Sequence, residues 1–174
     1  MKKVLLIALV VMGAGFASAQ SKMAHLNSQE IMEAMPSYKA AVTKLQTFEK
    51  DGYEELQTMK ADFDEALQKY QAEVQSGNLT PVLQQSKEQR LSKKEQDLME
   101  RQQSLQSEMQ AYSQELNKPI LETVEKAVKI VSDREGYQYV FDRTTLMIAN
   151  GPDITDDVID EIIKIEAAAA TTPE

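Results

Sequence analysis

The sequence predicts a mainly α chain with a small β body, in which a long antiparallel helical hairpin, a tentacle, projects from a short-stranded β/α base. Three observations carry this reading. No proline interrupts the chain from Ser37 to Thr80. Along that run Leu45, Phe48, Gly52, Leu56, Met59, Phe63, Ala66, Tyr70 and Val74 recur at the ~3.6-residue period of one helix face. The helix breakers Ser76, Gly77, Asn78 and Pro81 then cluster about midway, where a hairpin would turn.

The first arm, Ser37 to Gln75, has 39 residues. At about 1.5 Å each these extend ~58 Å, far beyond the radius of a compact domain of this size, so the arm is expected to reach into solvent. Its period lies between the 3.5 of a strict heptad and the ~3.67 of an eleven-residue repeat, which predicts a nearly straight seam with little left-handed supercoil. In the second arm Leu91, Leu98, Leu105 and Tyr112 fall seven apart, and their neighbours four residues on are Glu95, Gln102, Met109 and Leu116. That stripe is apolar only toward the base, so the distal half is expected to be the weaker. Asn78-Leu79-Thr80 has the form of a glycosylation acceptor, but a turn of small polar residues accounts for it.

The base is assembled from both ends of the chain. Lys22 to Leu26 is too short for a helix and reads as a strand; Asn27 or Ser28 can cap a brief helix from Gln29 to Met35, and Pro36 opens the first arm. Pro119 is expected to bend the second arm. Beyond it Ile120, Val124, Ala127, Val128 and Val131 form a clean apolar face, with Gly136 as the C-cap. Alternation from Tyr137 to Phe141 and the apolar run Leu146 to Ala149 predict a β-hairpin. Thr155 is placed to cap a last helix with Asp156 and Asp157 in its first turn and Val158, Ile159, Ile162, Ile163 and Ile165 on its apolar face; from Ala167 the tail is expected to fray. The hairpin thus spans residues 37–118 with its tip near 76–81, and the body comprises 20–36 and 119–174.

Lys2 and Lys3, the apolar run Val4 to Met12 and the small residues Ala17-Ser18-Ala19 read as a secretory signal peptide over residues 1–19, cut before Gln20, which predicts export to the periplasm. With no cysteine, export brings neither a disulfide framework nor an acylated lipoprotein terminus. The whole chain has a net charge of -9. Residues 37–118 carry 11 basic against 14 acidic side chains, and the rest of the mature chain 6 against 14, so the hairpin is nearly neutral and the base acidic. Mixed charge at i,i+4 spacing is the pattern of a solvated helical face. An acidic chain without a basic patch is a poor nucleic-acid partner.

Nothing in the chain assembles into a catalytic site. His25 is the single histidine and sits in the predicted first strand, which excludes a nucleophile–base pair and makes a transition-metal site remote. Six glycines form no phosphate-cradling motif, so no cofactor, metal or ATP is expected and the chain reads as non-enzymatic.

In order, the chain carries Asn27-Ser-Gln-Glu-Ile31, Met35-Pro-Ser-Tyr-Lys39, the long hairpin, Glu135-Gly-Tyr-Gln-Tyr-Val-Phe-Asp142 and Asp153-Ile-Thr-Asp-Asp-Val-Ile159. This series resembles the OmpH/Skp family of periplasmic chaperones over essentially the whole mature length. The resemblance implies a homotrimer, a jellyfish-like cage in which each copy gives short strands to a shared β body and one tentacle to a cavity. That cavity would hold unfolded outer-membrane proteins without ATP. Phe48, Met59, Phe63, Tyr70, Met109 and Tyr112 pack the seam and are the candidates for client contact, while Tyr137, Tyr139, Val140, Phe141, Leu146 and Ile148 are the candidates for the trimer body. The acidic charge departs from the strongly basic best-known members and argues against lipopolysaccharide or anionic-membrane binding. A second class of function, a coiled-coil adaptor of the cell envelope that docks on a folded partner, would concentrate its contacts at the tip, Leu79 to Leu83.

Overall fold

The computed structural model describes residues 21–171. The signal-peptide segment lies outside the described residues. In chain order the elements are β1 (Met23–Leu26), α1 (Ser28–Ala34), α2 (Pro36–Gln75), α3 (Pro81–Glu135), β2 (Tyr139–Asp142), a short 3-10 turn (Arg143–Thr145) and α4 (Thr155–Ala170). They form two compact units: Pro36–Ile120, and the remainder of the chain on either side of it.

In the hairpin unit the pairings descend along α3 as they ascend along α2. The rings of Phe48 and Tyr112 lie 5.1 Å apart, Glu55 pairs with Arg101, and Glu73 pairs with Lys87. The predicted seam therefore exists, and its first-arm positions are half-buried except Gly52, which is buried, and Val74, which is exposed. At Gly52 an added Cβ would lie only 2.3 Å from Leu105 Cδ1, so any larger residue would force the buried Leu105 side chain to shift. The turn uses Gly77 at φ +70°, a conformation that costs glycine little and other residues more.

The second-arm stripe differs from expectation. Glu95 and Gln102 are exposed, and Lys87 and Arg101, each four residues before a seam leucine, are the half-buried polar neighbours. The 3.6-residue period explains this: each leucine's neighbour across the seam shifts between its i+4 and i−4 sides. Arg101 closes its place in the seam with Glu55 Oε2 at 2.9 Å and Glu108 Oε2 at 3.1 Å. Pro119 lies inside α3 without ending it.

In the body unit β1 pairs with β2 in parallel, Met23 with Tyr139 through Leu26 with Asp142. On the other edge of β1, His25 bridges Asp153, with His25 N–H donating to the Pro152 carbonyl and Ile154 N–H donating to that of His25. The predicted β-hairpin is thus wrong. Asp142 ends β2 by accepting the Thr144 N–H, which starts the 3-10 turn, and Leu146 to Ala149 is not a strand. The alternation was real, but its partner is β1 at the far end of the sequence.

Ala24 and Leu26 are buried, as are Ile31 of α1, Ala127 and Val131 of α3, and Ile154, Val158 and Ile162 before and within α4, and together they make up the body core. Asn27 is the cap of α1, its side chain accepting the Glu30 N–H, and its own N–H donates to Thr155 Oγ1 at 2.9 Å. Thr155 does not cap α4 as expected. Asp153 Oδ1 accepts both the Thr155 N–H and its hydroxyl, which leaves the threonine oxygen free to receive Asn27. Gly136, at φ +74°, ends α3 as predicted, with Tyr137 N–H reaching back to the Ser132 carbonyl. The tail does not fray at Ala167, because α4 runs to Ala170 through four alanines, the best helix formers.

Candidate functional site

The apolar seam of the hairpin is too thin to be covered by two helices alone. Its flanks remain as shallow grooves. One, about 400 Å³, lies beside Gly52 and is lined by Tyr53, Leu56, Leu105 and Met109 with Gln102 and Gln106. A second of about 210 Å³ runs between Tyr38, Val42 and Leu45 on α2 and Leu116 on α3. A third, about 250 Å³, lies nearer the turn, where Ala66, Tyr70 and Leu91 are flanked by Lys69, Lys87, Arg90 and Lys94.

The six seam candidates lie along this surface and do not converge on one pocket. Phe48 and Tyr112 pack on each other at an interplanar angle of 45°. Met109 lines the groove beside Gly52 and Tyr70 the one near the turn, while Met59 and Phe63 are half-buried between them. The Tyr70 hydroxyl donates to Glu88 Oε1 at 2.5 Å, which raises the phenol above its ordinary pKa and, with Gln84, lowers that of Glu88. Tyr53, 53% exposed, and Met99, 59% exposed, were missed. Both are large apolar residues off the periodic stripe, and that offset was the available signal.

Around the grooves charge is paired along the helices: Lys50 with Glu54, Lys60 with Asp64, Lys69 with Glu65 and Lys93 with Asp97, all four apart. Exposed pairs of this kind stabilise little and chiefly keep the surface solvated.

The body candidates sit at its surface. Tyr139 and Phe141 stack at 6.4 Å on the outer face of β2, 55% and 42% exposed. Val140 is half-buried on the inner face beside Ala24. Tyr137 lies under the Lys22 ammonium at 4.5 Å. Leu146 and Ile148 are exposed with Met147 between them, so the structure gathers these apolar side chains near one another in sequence but covers none of the three. Among the described residues β2 pairs with β1 alone.

His25 is buried in β1, with Nε2 3.1 Å from the Gly151 carbonyl and Nδ1 3.6 Å from Asp153 Oδ2. It joins β1 to the loop before α4, the packed strand role expected of it. The described residues contain no group of three or more His, Cys, Asp or Glu placed to hold a metal, and no helix long and apolar enough to cross a membrane.

Residues 22–162 match the family described as Outer membrane protein (OmpH-like). The chain belongs to that OmpH-like family. Relatives include the chaperone protein Skp of Pectobacterium atrosepticum, 30% identical over 159 residues that cover 90% of this chain and 94% of the relative. The Skp chaperone of Photorhabdus laumondii is 27% identical over 147 residues, 84% of this chain and 88% of that one. The crystal structure of an OmpH-like protein from Caulobacter crescentus shares the fold, with a TM-score of 0.75 over 91% of each chain at 19% identity. The OmpH-like fold is thus mainly helical with a two-stranded sheet, and both candidate surfaces lie within the matched residues.

Proposed function

We propose that this OmpH-like chain is a periplasmic chaperone that binds unfolded outer-membrane proteins and prevents their aggregation without ATP or catalysis. The observation that carries the reading is the hairpin surface: a half-buried apolar seam flanked by several shallow grooves, set in paired charge. A folded partner is held best by one well-packed hot spot, whereas an unfolded chain is held by many partial contacts that release without an energy source. Relatives that are Skp chaperones over most of their length support the same reading.

The proposal includes assembly as a homotrimer through the body, with the hairpins of the copies around a shared client. Two features support association. Among the described residues the outer edge of β2 pairs with no strand, and Tyr139, Phe141, Met147 and Ile148 expose apolar surface that a second copy would cover. The adaptor alternative is favoured by one observation, the exposed Val82 and Leu83 at the start of α3.

The test is light scattering of a denatured outer-membrane β-barrel protein diluted with and without the mature chain. Suppression of scattering at near-stoichiometric trimer is expected; undiminished scattering overturns the chaperone reading. Replacing Val82 and Leu83 by serine should leave the suppression unaltered, and its loss would favour the adaptor. Sedimentation equilibrium decides the assembly, for which a stable monomer at micromolar concentration is the contrary result.

A further inference from the structure

We infer that the groove nearest the hairpin turn docks one class of client segment: extended polypeptide bearing a carboxylate beside a large apolar side chain. The inference rests on the client-holding function proposed above and narrows it.

The groove combines an apolar floor with a cationic rim. Ala66, Tyr70 and Leu91 supply the floor, and Lys69, Lys87, Arg90 and Lys94 surround it together with one carboxylate, Glu73. The Tyr70 hydroxyl is already engaged by Glu88, which holds the ring in place as part of that floor. Two of the four cations are neutralised within the hairpin, Lys69 by Glu65 and Lys87 by Glu73, each at 2.5 Å. Arg90 and Lys94 have no hydrogen bond or ion pair among the described residues, although Lys94 is near enough to Glu65 to add, after Lys69, to the lowering of its carboxyl.

Elsewhere on the hairpin lysines four residues from a carboxylate are paired with it, as at Lys50, Lys60 and Lys93. Arg90 and Lys94 are instead like charges four apart on one helix, and they repel each other. A carboxylate seated between them relieves that repulsion, and the Arg90 fork can grip it through two parallel N–H donors. An apolar side chain next to that carboxylate would meet Tyr70 and Leu91. At about 250 Å³ the groove takes a side chain or two and not a folded surface.

Charge at two length scales selects peptide over lipid. Within the groove the unpaired charge is positive. Glu73 lines the groove with its charge taken by Lys87, and Glu65 and Glu88 are bound by Lys69 and Tyr70 of the same lining, on a hairpin with 14 acidic against 11 basic residues, so a broad anionic membrane would meet carboxylates while a single carboxylate can be seated at Arg90 and Lys94.

The probe is a short unstructured Gly-Ser peptide carrying Asp-Phe-Asp and a neutral dye, titrated with the full mature chain and followed by anisotropy. Its counterparts carry Asn-Phe-Asn or Asp-Ala-Asp. Each counterpart should bind about tenfold more weakly, since one loses the charge-assisted bonds and the other the apolar contact. The double variant R90Q/K94Q should bind Asp-Phe-Asp no better than Asn-Phe-Asn, while K50Q, outside the groove, should match the parent chain. Equal binding of all three peptides overturns the inference, as does indifference to R90Q/K94Q. If that variant does not fold, as judged by circular dichroism, the three peptides on the unaltered chain decide the matter. Binding of the parent chain to phosphatidylglycerol vesicles, lost in R90Q/K94Q and without peptide binding, would make a lipid the occupant and also overturn it. Failure to suppress barrel-protein aggregation would sink the chaperone function itself; suppression without peptide selectivity would sink only this groove.

Discussion

The hairpin and the body solve the problem of burial in opposite ways. Among the described residues the hairpin seals only Ala41, Gly52, Leu105 and Ile120, and everything else along its seam stays partly open. The body, built from short pieces, seals Ile31, Met35, Val131, Val158 and Ile162 completely or nearly so. Fully buried side chains give a region one conformation, and half-buried ones leave surface that another chain can still cover. The hairpin is thus the part equipped to hold something variable, and the body the part equipped to stay the same.

The largest effect should come from breaking the body core. Val158 is fully buried on α4, and Val158→Asp places an uncompensated charge there, costing roughly 4 kcal/mol or more. Hydrogen exchange should show β1 and α4 losing protection while the amides of α2 retain theirs. Loss of protection throughout α2 as well would mean that hairpin and body do not differ in the way their burial suggests.

A smaller, local effect is expected at Gly52. Gly52→Val drives a branched side chain into Leu105, whose Cδ1 would lie 2.3 Å from the new Cβ, and should destabilise the hairpin by about 1–3 kcal/mol. Adding Leu105→Ala opens the space, so the double variant should lose less than the two single losses added together. Strict additivity in urea melts would show that Gly52 and Leu105 do not share that space.

The same contrast decides what was legible in the sequence. The hairpin could be read because its signal is local and repetitive: nine stripe positions at helical spacing, and breakers including Gly77, whose φ of +70° fits the turn. Its polar seam positions were misplaced onto Glu95 and Gln102, since a heptad count carries no information about which neighbour faces the other helix. In the body the strand at Tyr139 was visible but its partner was not, because the parallel pairing joins Met23 to Tyr139 across the whole hairpin. Leu146 to Ala149 looked like a second strand because apolar runs usually mean burial, yet Leu146, Met147 and Ile148 are exposed within the chain. The grooves were not legible at all. They depend on the lateral offset of Tyr53, Arg90 and Lys94 from the stripe, which only the packed helices define.

Acid should sharpen the comparison with a moderate effect in both regions. Asp142 is held below its ordinary 3.8 chiefly by the Ser28 hydroxyl, and Asp153 chiefly by the Thr155 hydroxyl, with smaller contributions from His25 and Arg143. In the hairpin Glu65 is lowered from 4.5 by Lys69, and Glu108 by Ser104 and then Arg101. A carboxyl depressed by folding stabilises fully above its unfolded pKa, and that contribution disappears as pH falls through the folded value. Both regions should therefore weaken below about pH 4, where the unfolded carboxyls begin to bind protons. Salt separates them, because an exposed lysine pair is screened and a hydroxyl donor is not. Thermal melts at pH 6 and pH 3 should show the acid sensitivity of α2 reduced in 0.5 M salt and that of the body unaltered. Asp153→Asn should remove part of the body's acid sensitivity, and an unchanged pH profile in that variant would contradict the assignment.

The smallest effect expected is that of salt on the binding of a whole client. With 14 acidic against 11 basic residues, the hairpin offers an acidic unfolded protein no long-range attraction. Apolar contact along the seam, at about 25 cal/mol per Å² buried, must then supply most of the affinity. Raising salt from roughly 0.05 M to 0.5 M shortens the Debye length from about 14 Å to about 4 Å, which removes weak repulsion as readily as weak attraction. A full-length client should consequently bind equally well or up to about threefold more tightly, while the Asp-Phe-Asp peptide, held at one cationic groove, should lose about tenfold. The two titrations are made on the same preparation, with sedimentation confirming that its state of assembly is the same at both salt concentrations. A client that weakens as steeply as the peptide would show that the groove at Arg90 and Lys94 dominates capture and that the open seam contributes little.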